Sequence, residues 1–193
     1  MPFDVRELST ELNLRGVIKP SRFFVTLNLP PVWSDDPEVQ YYASLCRDLG
    51  LRADRASIPG LAVRTLPVRR YGYGTIDTQP LTPVFDDVQV SFISDAWGDS
   101  WMLFNKWIRK ITNSDTPRSP EDAYELAYKD EYANQVQIQW YSEIGEMAKT
   151  IVLNQAYPTG LSEIKLDWGD DQTIARFVVN FSVQDFGVDE TIY

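Results

Sequence analysis

Residues 133–141 read Ala-Asn-Gln-Val-Gln-Ile-Gln-Trp-Tyr. Gln135, Gln137 and Gln139 alternate with Val136, Ile138 and Trp140, and a period of two puts the two sets on opposite faces of a strand. Ser142–Glu146 contains Gly145 and reads as a turn, so Lys149–Leu153 returns as the second strand of a hairpin. Tyr157-Pro158-Thr159-Gly160 breaks that strand. Ile164–Trp168 reads as a short strand, Gly169-Asp170-Asp171 as a turn, and Thr173–Val183 as a long last strand with Phe177, Val179, Phe181 and Val183 on one face. Upstream, Asp87–Ser94 alternates in the same way: Val88, Val90 and Phe92 face one side, and Asp87, Gln89 and Ser91 the other.

The remaining segments fit around these strands. Asp4–Asn13 reads as a short helix, with Asp4 and Glu7 at the spacing of a reciprocal cap. Arg22–Leu29 is a strand by its aromatic and β-branched content, closed by Pro30-Pro31. Asp36-Pro37-Glu38 starts a helix that continues through Val39, Tyr42, Cys46 and Leu49, with Gly50 as its stop. Arg52–Ile58 and Ala62–Leu66 are extended around Pro59-Gly60. Val68–Pro83 is a polar excursion with the look of an extended hairpin or arm. The strongest helix is Trp97–Ile111, with Trp97, Trp101, Phe104, Ile108 and Ile111 as its apolar stripe, Trp107 off it, and Asp95 as its cap. Residues 114–132 are loop-rich: Ser119-Pro120-Glu121 suits a helix start, and Tyr128–Tyr132 is open between helix and strand. The expected fold is mainly β: a single-domain antiparallel β-sandwich or barrel over residues 1–193 with one packed amphipathic helix. A helical insertion over about 31–50, an arm over about 68–83 and a loop insertion over about 114–132 decorate it.

Composition narrows the function. The 193 residues are 44% hydrophobic and 24% charged, as in a globular domain. There is no histidine, which excludes Ser-His and Cys-His nucleophile pairs and histidine metal ligands. The single Cys46 excludes an internal disulfide and a cysteine-cluster zinc site. With 28 acidic against 18 basic residues, the net charge of −10 repels nucleic acid overall. Met1–Asn13 carries Asp4, Glu7 and Glu11 and lacks the apolar run of a signal peptide. No apolar stretch is long enough to span a bilayer, so no membrane anchor is expected.

Each chemical signal has a plainer reading beside it. Asp35-Asp36, Asp86-Asp87 and Asp170-Asp171 supply the carboxylates of a glycoside hydrolase, but adjacent aspartates on a strand diverge and turns favour them anyway. Tyr71-Gly72-Tyr73-Gly74 lacks both the Lys-Ser/Thr ending of a phosphate loop and the third glycine of a dinucleotide fingerprint. Arg69, Arg70, Tyr71 and Tyr73 are, however, of the types enriched at protein interfaces. Six tryptophans raise a sugar platform, against core packing for those on the helix stripe. The face of Gln135, Gln137 and Gln139 is a solvated sheet face in a monomer, or a neutral, wettable wall in a ring. The face of Asp87, Gln89 and Ser91 is similar, with an acid added. No catalytic residue, metal site or cofactor is expected.

The succession Phe85-Asp86-Asp87-Val88-Gln89-Val90-Ser91-Phe92, an amphipathic helix ending Phe104-Asn105-Lys106-Trp107, Asn154-Gln155-Ala156-Tyr157-Pro158-Thr159, and Leu166-Asp167-Trp168 resembles the tail tube proteins of contractile-tailed, T4-like bacteriophages. Pro20-Ser21-Arg22-Phe23-Phe24 and Ala56-Ser57-Ile58-Pro59-Gly60 also fit, and coverage runs from Arg15 to Asp185. The resemblance implies a structural, non-enzymatic β-sandwich that forms hexameric rings, whose inner sheets join into one ring-wide β-barrel. Rings stack into a tube in the virion tail, assembled in the host cytoplasm. Expected partners are the tail sheath, baseplate and tail-terminator proteins, with genomic DNA and the tape measure protein passing through the lumen without tight binding. Arg69, Arg70, Tyr71 and Tyr73 map to the inter-ring arm; Asp87, Gln89, Ser91, Gln135, Gln137 and Gln139 map to the lumen. The insertions leave open a baseplate tube-initiator of the same fold. From another class, a monomeric glycan-binding or hydrolytic β-sandwich stays as the alternative.

Overall fold

The structure is a computed structural model. It describes residues 10, 20–33, 39–69, 72, 74–112, 114, 126–142, 145–169 and 173–190. The helix expected over 4–13 lies outside these apart from Thr10, which is helical. The helix start at 36–38 and the segment at 119–121 also lie outside them.

The strands are β1 (Phe23–Leu27), β2 (Ala53–Ala56), β3 (Leu61–Val68), β4 (Asp77–Phe85), β5 (Val88–Ile93), β6 (Asn134–Tyr141), β7 (Met147–Leu161), β8 (Arg176–Ser182) and β9 (Asp185–Glu190). The α-helices described are α1 (Val39–Arg52), α2 (Asp99–Ile111) and a single turn, α3 (Lys129–Tyr132), and Pro31–Trp33 forms a 3-10 turn. The last settles the open reading of Tyr128–Tyr132 as helix. All strand pairing is antiparallel, in the order β1-β6-β7-β8-β5-β2, with β9 also on β7. β1 and β2, the two ends of that order, lie against each other, so the sheet curls almost into a barrel.

The alternating residues do what their period demands. Val88, Val90 and Phe92 of β5, Val136 and Ile138 of β6, and Phe177, Val179 and Phe181 of β8 all enter one buried core. α2 closes it. Phe104 packs on Phe92, Phe177 and Phe181 at centroid distances of 5.4, 6.0 and 6.0 Å.

Several expectations need correction. The buried stripe of α2 is Ser100, Leu103, Phe104 and Trp107, whereas Trp97 is 89% exposed. The reason is the helix start. Asp95 caps as expected, accepting from the amides of Asp99 (3.2 Å) and Ser100 (2.9 Å) and from the Ser100 hydroxyl. Gly98, at φ 75°, then separates Trp97 from the first turn.

Gly50 does not stop α1, which runs on to Arg52. Tyr157-Pro158-Thr159-Gly160 does not break β7. The strand bends at Gln155, the one non-glycine residue at positive φ (49°) among those described. Its first part pairs with β6 and β9 and its last part with β8. Ile164–Trp168 is loop rather than strand. The expected last strand over 173–183 is the shorter β8, followed by a further strand, β9, with Gly187 and three acids in it.

Candidate assembly surfaces

Two polar faces and one uncovered ribbon stand out. On β6, Gln135, Gln137 and Gln139 lie on the face away from the core, half-buried. They are held in place by one another. The Gln137 amide donates to Gln135 Oε1 (3.1 Å), the Gln135 amide to Asn154 Oδ1 (3.5 Å), and the Tyr141 hydroxyl to Gln139 Oε1 (3.0 Å). Register extends this face across the sheet. One row is Phe24, Gln139, Thr150 and Asp189; the next is Thr26, Gln137, Val152 and Gly187. Asn154, bonded to Gln135, sits opposite Asp185. These rows hold no lysine or arginine and add two exposed acids, Asp185 and Asp189. Sequence reading missed that contribution because it missed β9; the alternation of Phe186 and Val188 with acids was the available signal.

Gln89 and Ser91 of β5 also turn away from the core, and Asp87 precedes them, exposed. Ser91 is nearly covered. Its row holds Arg55 and Val178, and the next holds Ile93 and Arg176. Arg176 Nε bonds Asp54 Oδ2 at 2.8 Å. This face thus carries Arg55 and Arg176, whereas the two central β6 rows hold no cation and Arg22, opposite Tyr141, stands at the end of the β6 face. β5 and β6 stand three places apart around a six-strand order and share one core. Their outer faces therefore look in opposite directions, and the structure does not bring the two sets of residues together.

The arm is a two-stranded ribbon. Among the described residues β3 pairs only with β4, from Leu61↔Phe85 to Val68↔Asp77, so the arm begins earlier in the chain than residue 68. Leu61, Val63, Leu66 and Leu81 on it are all more than half exposed. Pro67, Pro80 and Pro83 lack amide donors, so a further strand adds poorly along these edges. The base is fastened. Phe85 meets Phe186 edge-on at 5.6 Å, and the Asp86 amide donates to the Gly60 carbonyl at 3.2 Å. Arg69 lies just beyond β3; Arg70, Tyr71 and Tyr73 lie outside the described residues.

The features of the alternative chemistries disperse. Trp33 and Trp107 are buried, while Trp97 and Trp168 are exposed on different loops. Asp86 and Asp87 are exposed in a turn, and Asp35-Asp36 and Asp170-Asp171 lie outside the described residues. No described helix is long and apolar enough to cross a membrane.

A family model for phage tail tube protein matches residues 18–189. No curated protein sequence gives a significant match. Among solved structures the chain is similar to one in the sheath-tube complex of the extracellular contractile injection system PVC, extended state, at 14% identity and TM-score 0.61. That similarity covers 95% of this chain and 98% of the other. The tube-terminating cap of the anti-feeding prophage gives 16% identity and TM-score 0.60, covering 91% and 92%. The baseplate of the same prophage gives 14% and 0.54, covering 73% and 83%. At these identities the likeness is one of fold: a mainly β, antiparallel architecture. With the family model spanning nearly the whole described chain, this protein belongs to the phage tail tube protein family, as a structural tube-type subunit.

Proposed function

We propose that this chain forms hexameric rings that stack into the tube of a phage contractile tail, inside a sheath and between baseplate and terminator proteins. Genomic DNA and the tape measure protein pass through the lumen. The observation that carries this reading is the β3–β4 ribbon. An isolated two-stranded hairpin is marginal in water, yet this one holds Leu61, Val63, Leu66 and Leu81 exposed. It is a device for a second copy. Ring contacts generated by rotation and stack contacts generated by translation are both head-to-tail.

The β6 face is assigned to the lumen, with Gln135, Gln137 and Gln139 as its wall and Asp185 and Asp189 beside them. The two central rows hold no cation, so they release no counterions from the DNA backbone and do not grip it; Arg22, at the Tyr141 end of the face, donates to the Ser142 carbonyl at 3.2 Å. Asp87, Gln89 and Ser91, whose face carries Arg55 and Arg176, then look outward. A ring at the tube's end, including a baseplate initiator, is the second reading. The likeness to a tube-terminating cap, at TM-score 0.60 against 0.61, favours keeping it.

Light scattering and negative-stain microscopy over rising protein concentration test the assembly. The expected species is a ring of six times 22.2 kDa, followed by stacked tubes. A monomer at every concentration overturns the proposal, and rings that never stack favour the end-ring reading.

A further inference from the structure

The arm leaves one end of the sheet. β4 ends at Phe85 and β5 begins at Val88, so the ribbon projects from the Val88 end of β5. The opposite end of β5, about 17 Å away for six residues in a strand, carries a second exposed apolar group. There the loop from Leu161 to Arg176 joins β7 to β8, and Ile93 pairs with Arg176. Leu166 (90% exposed), Trp168 and Ile174 stand in water on this loop. They line a shallow concavity between residues 163–168 and 173–176. Trp97, also exposed, lies close by in sequence to Ser94, whose amide donates to the Ala175 carbonyl at 2.9 Å.

Exposed apolar side chains gathered in one place mark interaction sites, and these two groups sit at opposite poles of one strand. Their charges are complementary. Segment 61–85 contains Arg64, Arg69 and Arg70 against Asp77. Segment 162–176 contains Glu163, Asp167, Asp170 and Asp171 against Lys165 and Arg176; Lys165 lies 3.9 Å from Glu163, and Arg176 is paired with Asp54 at 2.8 Å. In a chain of net charge −10 the arm is a cationic exception and the loop an acidic concentration.

We propose that the concavity of the β7–β8 loop is the docking site for the β3–β4 arm of a second copy, with Leu166, Trp168 and Ile174 receiving the arm's leucines. This inference rests on the tube reading and names the surface that receives the arm. Because donor and acceptor occupy opposite ends of β5, every copy offers both, and each contact points the same way.

Two variants test the pairing. Leu66→Glu spoils the arm and Trp168→Glu spoils the acceptor. Both positions are exposed, so melting temperature and circular dichroism should match wild type. Each variant alone should form rings with at least a tenfold loss of stacked tubes by electron microscopy. An equal mixture should regain one interface, the intact arm of one variant on the intact loop of the other, and give ring pairs that grow no further. Tubes from either variant alone, or a mixture that stays as single rings, overturn this pairing while leaving a tube-forming wild type intact. A wild type that forms neither rings nor tubes overturns the underlying reading together with it.

Discussion

Gly50 lies directly against the carbonyl of Val25: a methyl group on Gly50 would stand 2.3 Å from that oxygen. The contact explains why a glycine sits inside a helix. The Arg22 carbonyl accepts from the Tyr141 amide, so β1 turns alternate backbone groups to β6 and leaves the carbonyl of Val25 facing outward. α1 covers that edge, and Tyr42, Cys46 and Leu49 enter the core beside Val25. Gly50→Ala gains about 1 kcal/mol of helix propensity but forces backbone against backbone, which costs about 1–3 kcal/mol or more. The expected result in urea denaturation is a net loss of stability, with more aggregation as the uncovered edge opens. A stabilised Gly50→Ala would show that α1 does not sit on β1.

Two tryptophans of the helix expected over 97–111, one at its start and one in its interior, separate the periodicity from the fold. Trp107 stacks on Phe104 at 6.3 Å and 8°, lies 6.1 Å from Trp33, and donates its indole N–H to the Tyr132 carbonyl at 3.0 Å. Trp107→Ala should cost about 3–5 kcal/mol. Trp97→Ala, on a fully wet side chain, should change folding stability by less than about 0.5 kcal/mol. Equal losses in thermal or chemical denaturation would contradict the stripe described above.

What the sequence made legible was local and periodic. β5, β6 and β8 announced themselves because each has one face in the core and one in solvent, and a period of two records that. α2 is legible as a helix, but two apolar stripes compete on it, and the buried one is set by long-range packing of Phe104 on Phe92, Phe177 and Phe181, which helical period does not record. In the sequence β7 reads as ending early because Pro158 and Gly160 carry the usual marks of a turn. In the fold they pair with Phe181 and Asn180, and Gly160 allows the close approach of Asn180, whose Nδ2 would lie 3.3 Å from an added methyl. Of the candidate site, the glutamine face of β6 was legible as alternation. Its separation from the β5 face was not, because strand order is a long-range property.

Asp95 links fold to pH. Partial burial works against its charge, but hydrogen bonds from the Ser100 hydroxyl and from the amides of Ser100 and Asp99 outweigh that and hold its pKa below the ordinary value. A depressed folded pKa contributes stability above the unfolded pKa of about 3.9 and loses it as pH falls through the lower folded value. Asp95→Ala should therefore cost about 1 kcal/mol near neutral pH, as lost caps do. The gap from wild type should close below about pH 4. Urea titrations across that range check it; a gap unchanged in acid would mean that Asp95 acts by packing alone.

The lumen assignment makes a charge-specific prediction. Gln137 lies at the centre of the β6 face, between Thr26 and Val152. Replacing it with lysine puts one cation per copy into a wall that has none in these rows. Each ring then adds phosphate contacts, and their summed affinity falls steeply with salt. Gln137→Lys should leave the fold within about 1 kcal/mol of wild type, as a surface substitution. In triggered particles it should slow DNA release by about tenfold or more at low salt, with recovery as ionic strength rises, since each contact carries a salt slope near −0.9. Gln89→Lys, on the face looking the other way, is the matched control and should release DNA at the wild-type rate. Slowing by both substitutions would point to a general assembly defect, and slowing by Gln89→Lys alone would put β5 rather than β6 on the lumen, because only a cation that meets the moving phosphates can hold them back.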